Sequence, residues 1–253
     1  MTLHVDIQGS GPDLVLLHGW GLHSGVWDEA IPALARHSRV HAFDLPGHGR
    51  SAEAPVGSLD DAVDSIAAQM PARAGVCGWS LGGLVAQRLA QRHAGRVSRL
   101  VLVSTTPCFV ARRDWRAAVS AATLEAFAQG LRTDRKKTLA RFVALNALHG
   151  THSREAVRAY TAKLFERGAP TAEALGASLA WLRDTDLRAA APLLPRGTCV
   201  MHGTRDALAP IAAGRWLAAN APAACLVEWP TAAHLPLFSH RDAFVEALET
   251  AVG

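Results

Sequence analysis

Val76-Cys77-Gly78-Trp79-Ser80-Leu81-Gly82-Gly83 joins a short apolar run to the beginning of a helical pattern. The apolar run at 75–79 is typical of a buried strand, and helical spacing begins at Leu84. A serine with a glycine two positions away on each side, between strand and helix, is typical of a nucleophile elbow. The turn is sharp, so residues without a Cβ are needed where strand and helix nearly touch. The stretch therefore predicts that the Ser80 hydroxyl stands clear of the sheet and that the Leu81 amide faces whatever the oxygen attacks.

Similar apolar runs recur along the chain and alternate with helical patterns. The runs that predict strands lie at 3–7, 14–17, 40–43, 75–79, 97–104, 198–202 and 224–228. Helical spacing follows several of them, at 59–70 with Ser58 as the N-cap, after the elbow to about 93, and at 241–252. Alternation of this kind predicts an α/β protein with a mostly parallel, doubly wound sheet.

The alternation stops near Pro107 and resumes only near 198. Between these points the sequence has helical patterns and no convincing strand, at 124–131, 136–148, 153–165 and 172–182. We expect residues 108–186 to form an α-helical lid over the carboxyl ends of the strands. Residues 1–107 and 187–253 would then form the core.

Composition and charge limit the functional classes. The chain has 253 residues, 49% hydrophobic and 19% charged, which suits one α/β domain with an insertion or two small domains. A net charge of +4 is too mild to indicate nucleic acid binding. No secretion signal and no membrane-spanning run is apparent, so we expect a cytoplasmic protein. We expect the four dispersed cysteines to be reduced and buried, where they pack as small apolar side chains. The alternative is that they form a metal site or a disulfide framework.

A serine nucleophile needs a base and an orienting acid, which this chain order would supply as Ser, then Asp, then His. Asp206 follows a predicted strand, and His234 lies between the last predicted strand and the final helix. Asp184 and Asp186 compete for the role of the acid but precede the strand that should present it. The sequence therefore predicts Ser80, Asp206 and His234 as the catalytic residues.

The loop His18-Gly19-Trp20-Gly21 follows the buried run at 14–17. A glycine-rich loop at this place lets backbone amides approach a ligand, so the Trp20 amide is a candidate second oxyanion donor beside Leu81. The alternative is only a tight turn between strand and helix. Acyl transfer by these groups requires neither a metal nor an organic cofactor.

With these residues identified, the sequence resembles the α/β-hydrolase superfamily over its whole length. Within it, the chain is similar to the family of carboxylesterases that remove the methyl ester from a pimeloyl chain on acyl carrier protein, in biotin synthesis. The stretches that carry the resemblance are 16–22 (LLHGWGL), 44–51 (DLPGHGRS), 78–86 (GWSLGGLVA), 107–109 (PCF) and 141–145 (RFVAL). The first two stretches are common across the superfamily, whereas Trp20, Trp79 and the Arg-Phe pair in the lid make the resemblance to this carboxylesterase family more specific.

The resemblance implies a substrate channel and a docking surface for the carrier. The channel would be lined by Trp20, Ser80, Leu81, His234, Phe142, Val143, Ala144, Leu145 and Asn146. The acidic carrier would be bound by Lys137, Arg141, Arg154 and Arg158. Asn146 and Lys137 depart from the residues that the family leads us to expect. We expect a monomer that binds neither nucleic acid nor membrane.

The charge pattern points to the same docking surface independently. Lys137 and Arg141 are four residues apart, as are Arg154 and Arg158, so each pair shares one helix face. Like charges so placed repel, which favours docking of an anionic partner. A solvated helix face is the alternative interpretation.

Two other functions are compatible with these residues. One is a general short-chain carboxylesterase or a thioesterase with the same triad. The other is a catalytically silent ligand receptor on the same fold, which an intact Ser80, Asp206 and His234 argue against.

Overall fold

The computed structural model describes residues 2–253, and its centre is a seven-stranded sheet. The strands are β1 (Val5–Gln8), β2 (Asp13–Leu17), β3 (Arg39–Phe43), β4 (Ala74–Trp79), β5 (Val97–Val103), β6 (Cys199–Gly203) and β7 (Cys225–Trp229). Their order across the sheet is β1-β3-β2-β4-β5-β6-β7. Only the β1–β3 pair is antiparallel, which confirms the predicted mostly parallel sheet.

The central strands are apolar because helices cover both faces of the sheet. Every residue of β4 and every residue of β2 after Asp13 is buried. Two large apolar clusters lie on opposite faces, one containing Val15 and Val76, the other containing Leu14 and Cys77. Neighbouring side chains of one strand therefore belong to different clusters, as the two-residue period of a strand requires.

Ten α-helices accompany the strands in residues 2–253. They are α1 (Ile31–Leu34), α2 (Leu59–Gln69), α3 (Leu81–Arg92), α4 (Ala121–Thr133), α5 (Arg135–Asn146), α6 (Ser153–Lys163), α7 (Ala172–Asp184), α8 (Ile211–Asn220), α9 (Pro236–Ser239) and α10 (Arg241–Val252). Ser58 caps α2 as predicted: its Oγ accepts a hydrogen bond from the Asp61 amide, and the Asp61 carboxylate accepts one from the Ser58 amide.

Two of these helices, α8 and α9, were not expected from the sequence. The α8 segment is rich in alanine and lacks a clear apolar stripe. It is nevertheless required by topology, because β6 and β7 are parallel neighbours and need a crossover connection. The single turn of α9 is too short to leave a periodic signal.

Helices α4 to α7 follow β5 and precede β6 in the chain, and they contact the loops at the carboxyl ends of the strands. The Trp20 indole donates to the Leu175 carbonyl of α7 at 3.2 Å, and the Thr171 amide donates to the Gly47 carbonyl at 2.9 Å. In the described part of 108–186, β structure is limited to two isolated bridges. The division into a core and a lid at 108–186 remains a prediction, with which these contacts agree.

Three of the four cysteines are buried, as expected, whereas Cys225 is exposed. The difference arises because Cys225 begins β7, which is one of the two edge strands of the sheet. All four are free thiols. Within residues 2–253, no helix has both the length and the apolar character that crossing a bilayer requires.

Candidate active site

The turn between β4 and α3 has the strained geometry that the glycine spacing predicted. Ser80 adopts φ 55° and ψ −116°, a region that residues with a side chain rarely occupy. A Cβ on Gly78 would lie 2.2 Å from the Gly82 carbonyl oxygen, and a Cβ on Gly82 would lie 2.2 Å from the Leu17 carbonyl oxygen. Strand β2, strand β4 and helix α3 therefore meet at a point where only glycine fits.

Three side chains from separate loops meet at this turn. Ser80 Oγ lies 2.8 Å from His234 Nε2, and His234 Nδ1 lies 2.7 Å from Asp206 Oδ2. With Nδ1 protonated and donating to the carboxylate, Nε2 is free to accept the serine proton. Ser80 is 4% exposed, Asp206 is 6% exposed and His234 is fully buried, so the hydrogen bonds operate with little competition from water.

The carboxylate of Asp206 is held ionised by its surroundings. Burial alone would raise its pKa, but the charge of His234 and hydrogen bonds from His202 and His234 outweigh this and hold the pKa well below its ordinary value. The other carboxylate oxygen, Oδ1, accepts hydrogen bonds from the amides of Leu208 and Ala209 at 2.9 and 2.8 Å. Asp206 is therefore fixed in orientation as well as in charge.

The two amides predicted as oxyanion donors remain unoccupied by protein acceptors. Within residues 2–253, neither the Trp20 amide nor the Leu81 amide is bonded to another residue. Leu81 is the first residue of α3, where amides have no intrahelical partner and the helix dipole favours negative charge. Both donors are thus available to an oxygen that develops negative charge near Ser80.

A buried pair of histidines supports the loop that carries Trp20. Burial lowers the pKa of His18 to about 3, so its ring is neutral. Its Nδ1 lies 2.8 Å from the Gly19 carbonyl oxygen, and its Nε2 accepts the Leu45 amide at 2.9 Å. Burial likewise lowers the pKa of His48 to about 4, and the two rings lie 5.3 Å apart. The neutral His18 therefore ties the loop after β2 to the loop after β3.

The segment predicted to line the channel, Phe142 to Asn146, divides between two sides of α5. Phe142, Val143 and Asn146 are buried, and the Phe142 ring packs edge-on against Trp20 with centroids 4.8 Å apart. Ala144 and Leu145 instead line a cavity of about 470 Å³ on the outer side of α5. Its walls are Thr123, Ala126, Phe127, Thr138, Arg141, Ala144, Leu145 and Leu148.

The four basic residues predicted to bind a carrier lie on two adjacent helices, Lys137 and Arg141 on α5, Arg154 and Arg158 on α6. All four are exposed. Across the described chain, none of them has a carboxylate within salt-bridge distance. Arg88, Arg167 and Arg188, in contrast, each lie within 4 Å of a carboxylate, so the four residues on α5 and α6 leave uncompensated positive charge on the insertion.

The competing acids are occupied elsewhere. Asp184 accepts hydrogen bonds from Arg183, and Asp186 accepts them from Arg188. A contributor that sequence analysis missed is Trp79, whose indole Nε1 donates to the His234 carbonyl at 2.9 Å. The sequence places Trp79 inside the elbow, but no sequence pattern could reveal a contact between residues 155 positions apart. In the described residues, no group of three or more His, Cys, Asp or Glu could hold a metal ion.

Comparison with known proteins agrees with this geometry. Residues 14–247 match the model of the alpha/beta hydrolase family. The chain belongs to this family. A relative in Chromobacterium violaceum, named pimeloyl-[acyl-carrier protein] methyl ester esterase, is 44% identical to this hydrolase over 98% of this chain and 97% of the relative's chain. A protein of the same name from Nitrosomonas europaea is 41% identical over 98% of each chain.

Solved structures share the fold of this hydrolase. A hydrolase from Pseudomonas aeruginosa PA01 has a TM-score of 0.85 at 30% identity and covers 99% of this chain and 94% of its own. The enol-lactonase from Burkholderia xenovorans LB400 has a TM-score of 0.83 at 29% identity, with coverages of 97% and 94%. Proteins with a similar backbone can thus have different activities. The substrate of this hydrolase must therefore be inferred from its active site and from the helical insertion.

Proposed function

We propose that this protein is a serine carboxylesterase that hydrolyses the methyl ester of a pimeloyl chain carried on acyl carrier protein. The observation that carries the proposal is the proton-transfer line from Ser80 through His234 to Asp206, with distances of 2.8 and 2.7 Å. The substrate follows from the two relatives named for this reaction, which match nearly the whole chain. The biosynthetic role implies a cytoplasmic enzyme of the biotin pathway.

The geometry supports a two-step mechanism. Ser80 Oγ attacks the ester carbonyl as His234 Nε2 takes its proton, and the carbonyl oxygen becomes an oxyanion near the amides of Trp20 and Leu81. When the tetrahedral intermediate collapses, His234 gives that proton to the departing methanol. Water then attacks the acyl-Ser80 ester, with His234 again as the base, and releases the pimeloyl carboxylate. Asp206 stays ionised throughout and stabilises the imidazolium.

The insertion supplies the features that a carrier-bound substrate needs. We propose that Lys137, Arg141, Arg154 and Arg158 bind the acidic carrier, because they are exposed and unpaired on adjacent helices. We propose that the acyl chain enters through the cavity beside Arg141 and passes the segment from Phe142 to Asn146. The rings of Phe127, Phe142 and Trp20 form a continuous series from that cavity to the oxyanion loop, with centroids 5.5 and 4.8 Å apart.

The decisive experiment follows the reaction on the carrier by mass spectrometry. Purified protein is mixed with pimeloyl-carrier methyl ester, and the expected result is conversion to the free acid with release of methanol. Ser80→Ala is the matched control and should leave the ester intact. A general short-chain esterase would instead hydrolyse p-nitrophenyl esters with equal or higher kcat/KM, and that outcome would reject the carrier-bound substrate. Rapid labelling of Ser80 by a fluorophosphonate would in either case exclude a silent receptor.

A further inference from the structure

Both main-chain polar groups of His234 are bound by residues outside its own loop. Its amide donates to the carbonyl oxygen of Asn146 at 3.0 Å, and its carbonyl accepts the indole N–H of Trp79 at 2.9 Å. His234 is fully buried, so water cannot replace either partner. The position of the imidazole therefore depends on one contact from the elbow and one from the end of α5.

The Trp79 ring is rigidly enclosed. Its edge lies 2.8 Å from where a Cβ on Gly19 would be, so the loop that carries the Trp20 amide rests directly against it. The rings of Tyr160 and Phe238 meet it edge-on, with centroids 6.0 and 6.5 Å away. A ring confined on these sides holds its N–H in one direction.

The contact from α5 is fixed in a similar way. Asn146 is the last residue of that helix, and its side-chain Nδ2 donates to the Phe142 carbonyl at 2.6 Å. This bond holds the Asn146 side chain against the last turn of α5, beside the backbone carbonyl that receives the His234 amide. The insertion thus contributes directly to the placement of His234.

We propose that Trp79 is a positioning residue that, together with the Asn146 carbonyl, sets the distance between His234 Nε2 and Ser80 Oγ. The inference rests on the proposed function, because it assigns Trp79 a part in proton transfer through His234. The indole contacts the backbone of His234 and not the acyl carbonyl. Its loss should therefore slow the chemical step without weakening substrate binding.

The test compares Trp79→Phe with wild-type protein on p-nitrophenyl acetate. Phe keeps an aromatic ring but lacks the donor, and the expected result is a loss of about tenfold in kcat with KM within about twofold. Trp115→Phe is the matched control, because the Trp115 indole also donates to a backbone carbonyl, that of Cys108 at 2.8 Å, away from the triad. Trp115→Phe should leave both constants unchanged.

A second variant separates the lost donor from any change of packing. Replacing Trp79 by 3-benzothienylalanine exchanges the indole N–H for sulfur at nearly constant shape, and kcat should fall as in Trp79→Phe. Unchanged kcat in this variant, or a rise in KM alone, would overturn the inference. Failure of the proposed function looks different, because wild-type protein would then leave the carrier ester intact, whatever effect Trp79→Phe has on p-nitrophenyl acetate.

An independent observation concerns two thiols at the edge of the sheet. Cys199 of β6 and Cys225 of β7 occupy directly opposite positions of the parallel pair. Neighbouring strands lie about 4.7–4.9 Å apart, which falls within the range of about 4.4–6.8 Å between the Cα atoms of disulfides. Directly opposite residues of neighbouring strands project from the same face of a sheet, and both cysteines line one cavity, so the two thiols lie side by side.

The pair is also accessible from one side. Cys225 is exposed, Cys199 is buried, and both line a cavity of about 350 Å³ between β7 and α10. Cys77 and Cys108 are both fully buried and lie outside this cavity. A small oxidant can therefore reach Cys225 first, with Cys199 behind it.

We infer that Cys199 and Cys225 form an oxidisable dithiol site for peroxides. The peroxide converts the Cys225 thiol to a sulfenic acid and releases one water molecule. The Cys199 sulfur then displaces hydroxide from that sulfenic acid, its proton leaves with the hydroxide as a second water, and a disulfide forms. The two thiols lose two electrons, which reduce the peroxide.

The test treats folded protein with hydrogen peroxide and maps its peptides by mass spectrometry. The expected product links the peptides of Cys199 and Cys225 with loss of two hydrogen atoms, and dithiothreitol restores both thiols. Cys199→Ala is the control and should yield only over-oxidised Cys225. Sulfinic acid at Cys225 beside an intact Cys199 thiol in the wild-type protein would overturn the inference, as would equal oxidation of Cys77 and Cys108.

Discussion

Reversing the charges of Arg154 and Arg158 should separate the reaction on the carrier from the chemistry at Ser80. Both side chains are exposed on α6, and neither has a carboxylate partner within residues 2–253, so the change breaks no internal ion pair. An exposed ion pair contributes about 0.2–1 kcal/mol. Reversing two charges removes two attractions and adds two repulsions of similar size, which amounts to about 1–4 kcal/mol in all.

That free energy corresponds to a loss of about fivefold to several hundredfold in kcat/KM, since about 1.4 kcal/mol is a factor of ten. The assay measures kcat/KM of Arg154→Glu/Arg158→Glu on pimeloyl-carrier methyl ester and on p-nitrophenyl acetate. The loss should appear only with the carrier substrate, and the wild-type rate with that substrate should fall as salt is added.

Arg36→Glu/Arg39→Glu is the matched control. These arginines are also exposed, and Arg39 begins β3 at the amino ends of the strands, opposite the site. The control removes the same charge but should leave the carrier reaction within about twofold, because a net charge effect alone is small at physiological salt. An equal loss in both double variants, or an equal loss on both substrates, would refute docking at α6.

Three further predictions concern the triad, the elbow and pH. Asp206→Asn should lower kcat for ester hydrolysis on the order of 10⁴-fold, because the His234 imidazole loses the carboxylate that orients it. Retention of more than a tenth of the wild-type kcat would contradict the assignment of Asp206 as the acid of the triad. Gly82→Ala should lower the free energy of unfolding in urea by about 1–3 kcal/mol, because the new Cβ would lie 2.2 Å from the Leu17 carbonyl oxygen. Gly176→Ala in α7 is the control: a Cβ there meets open space, so the substitution should raise the free energy of unfolding by up to about 1 kcal/mol. Burial in the folded protein lowers the pKa of His48 to about 4, whereas the unfolded chain has the ordinary value of about 6.5. As the pH drops from about 6.5 to about 4, the unfolded chain takes up a proton at His48 and the folded protein does not, so the free energy of unfolding falls. His48→Gln should reduce that slope by about 1.4 kcal/mol per pH unit, and an unchanged slope in unfolding curves would exclude a buried neutral His48.

The candidate site was largely predictable because its parts follow from local rules. The glycines around Ser80 are required wherever a strand and a helix nearly touch, and the 2.2 Å approaches at Gly78 and Gly82 are that requirement in the fold. Asp206 and His234 could be selected because each follows a strand, and parallel strands bring their carboxyl ends to one edge. Helix α8 was missed because the period of its apolar residues is weak, although the parallel pairing of β6 and β7 demands a crossover.

By itself, the sequence determined the mostly parallel sheet, the strained turn at Ser80 and the chain order of the triad, because these depend on spacing and on residues that lack a Cβ. The tertiary structure alone decided that the Trp79 indole and the Asn146 carbonyl hold His234 from two sides, and that Cys199 faces Cys225. Such contacts join residues far apart in the chain through register and packing. No local pattern encodes them, since the same residues would be compatible with many other partners.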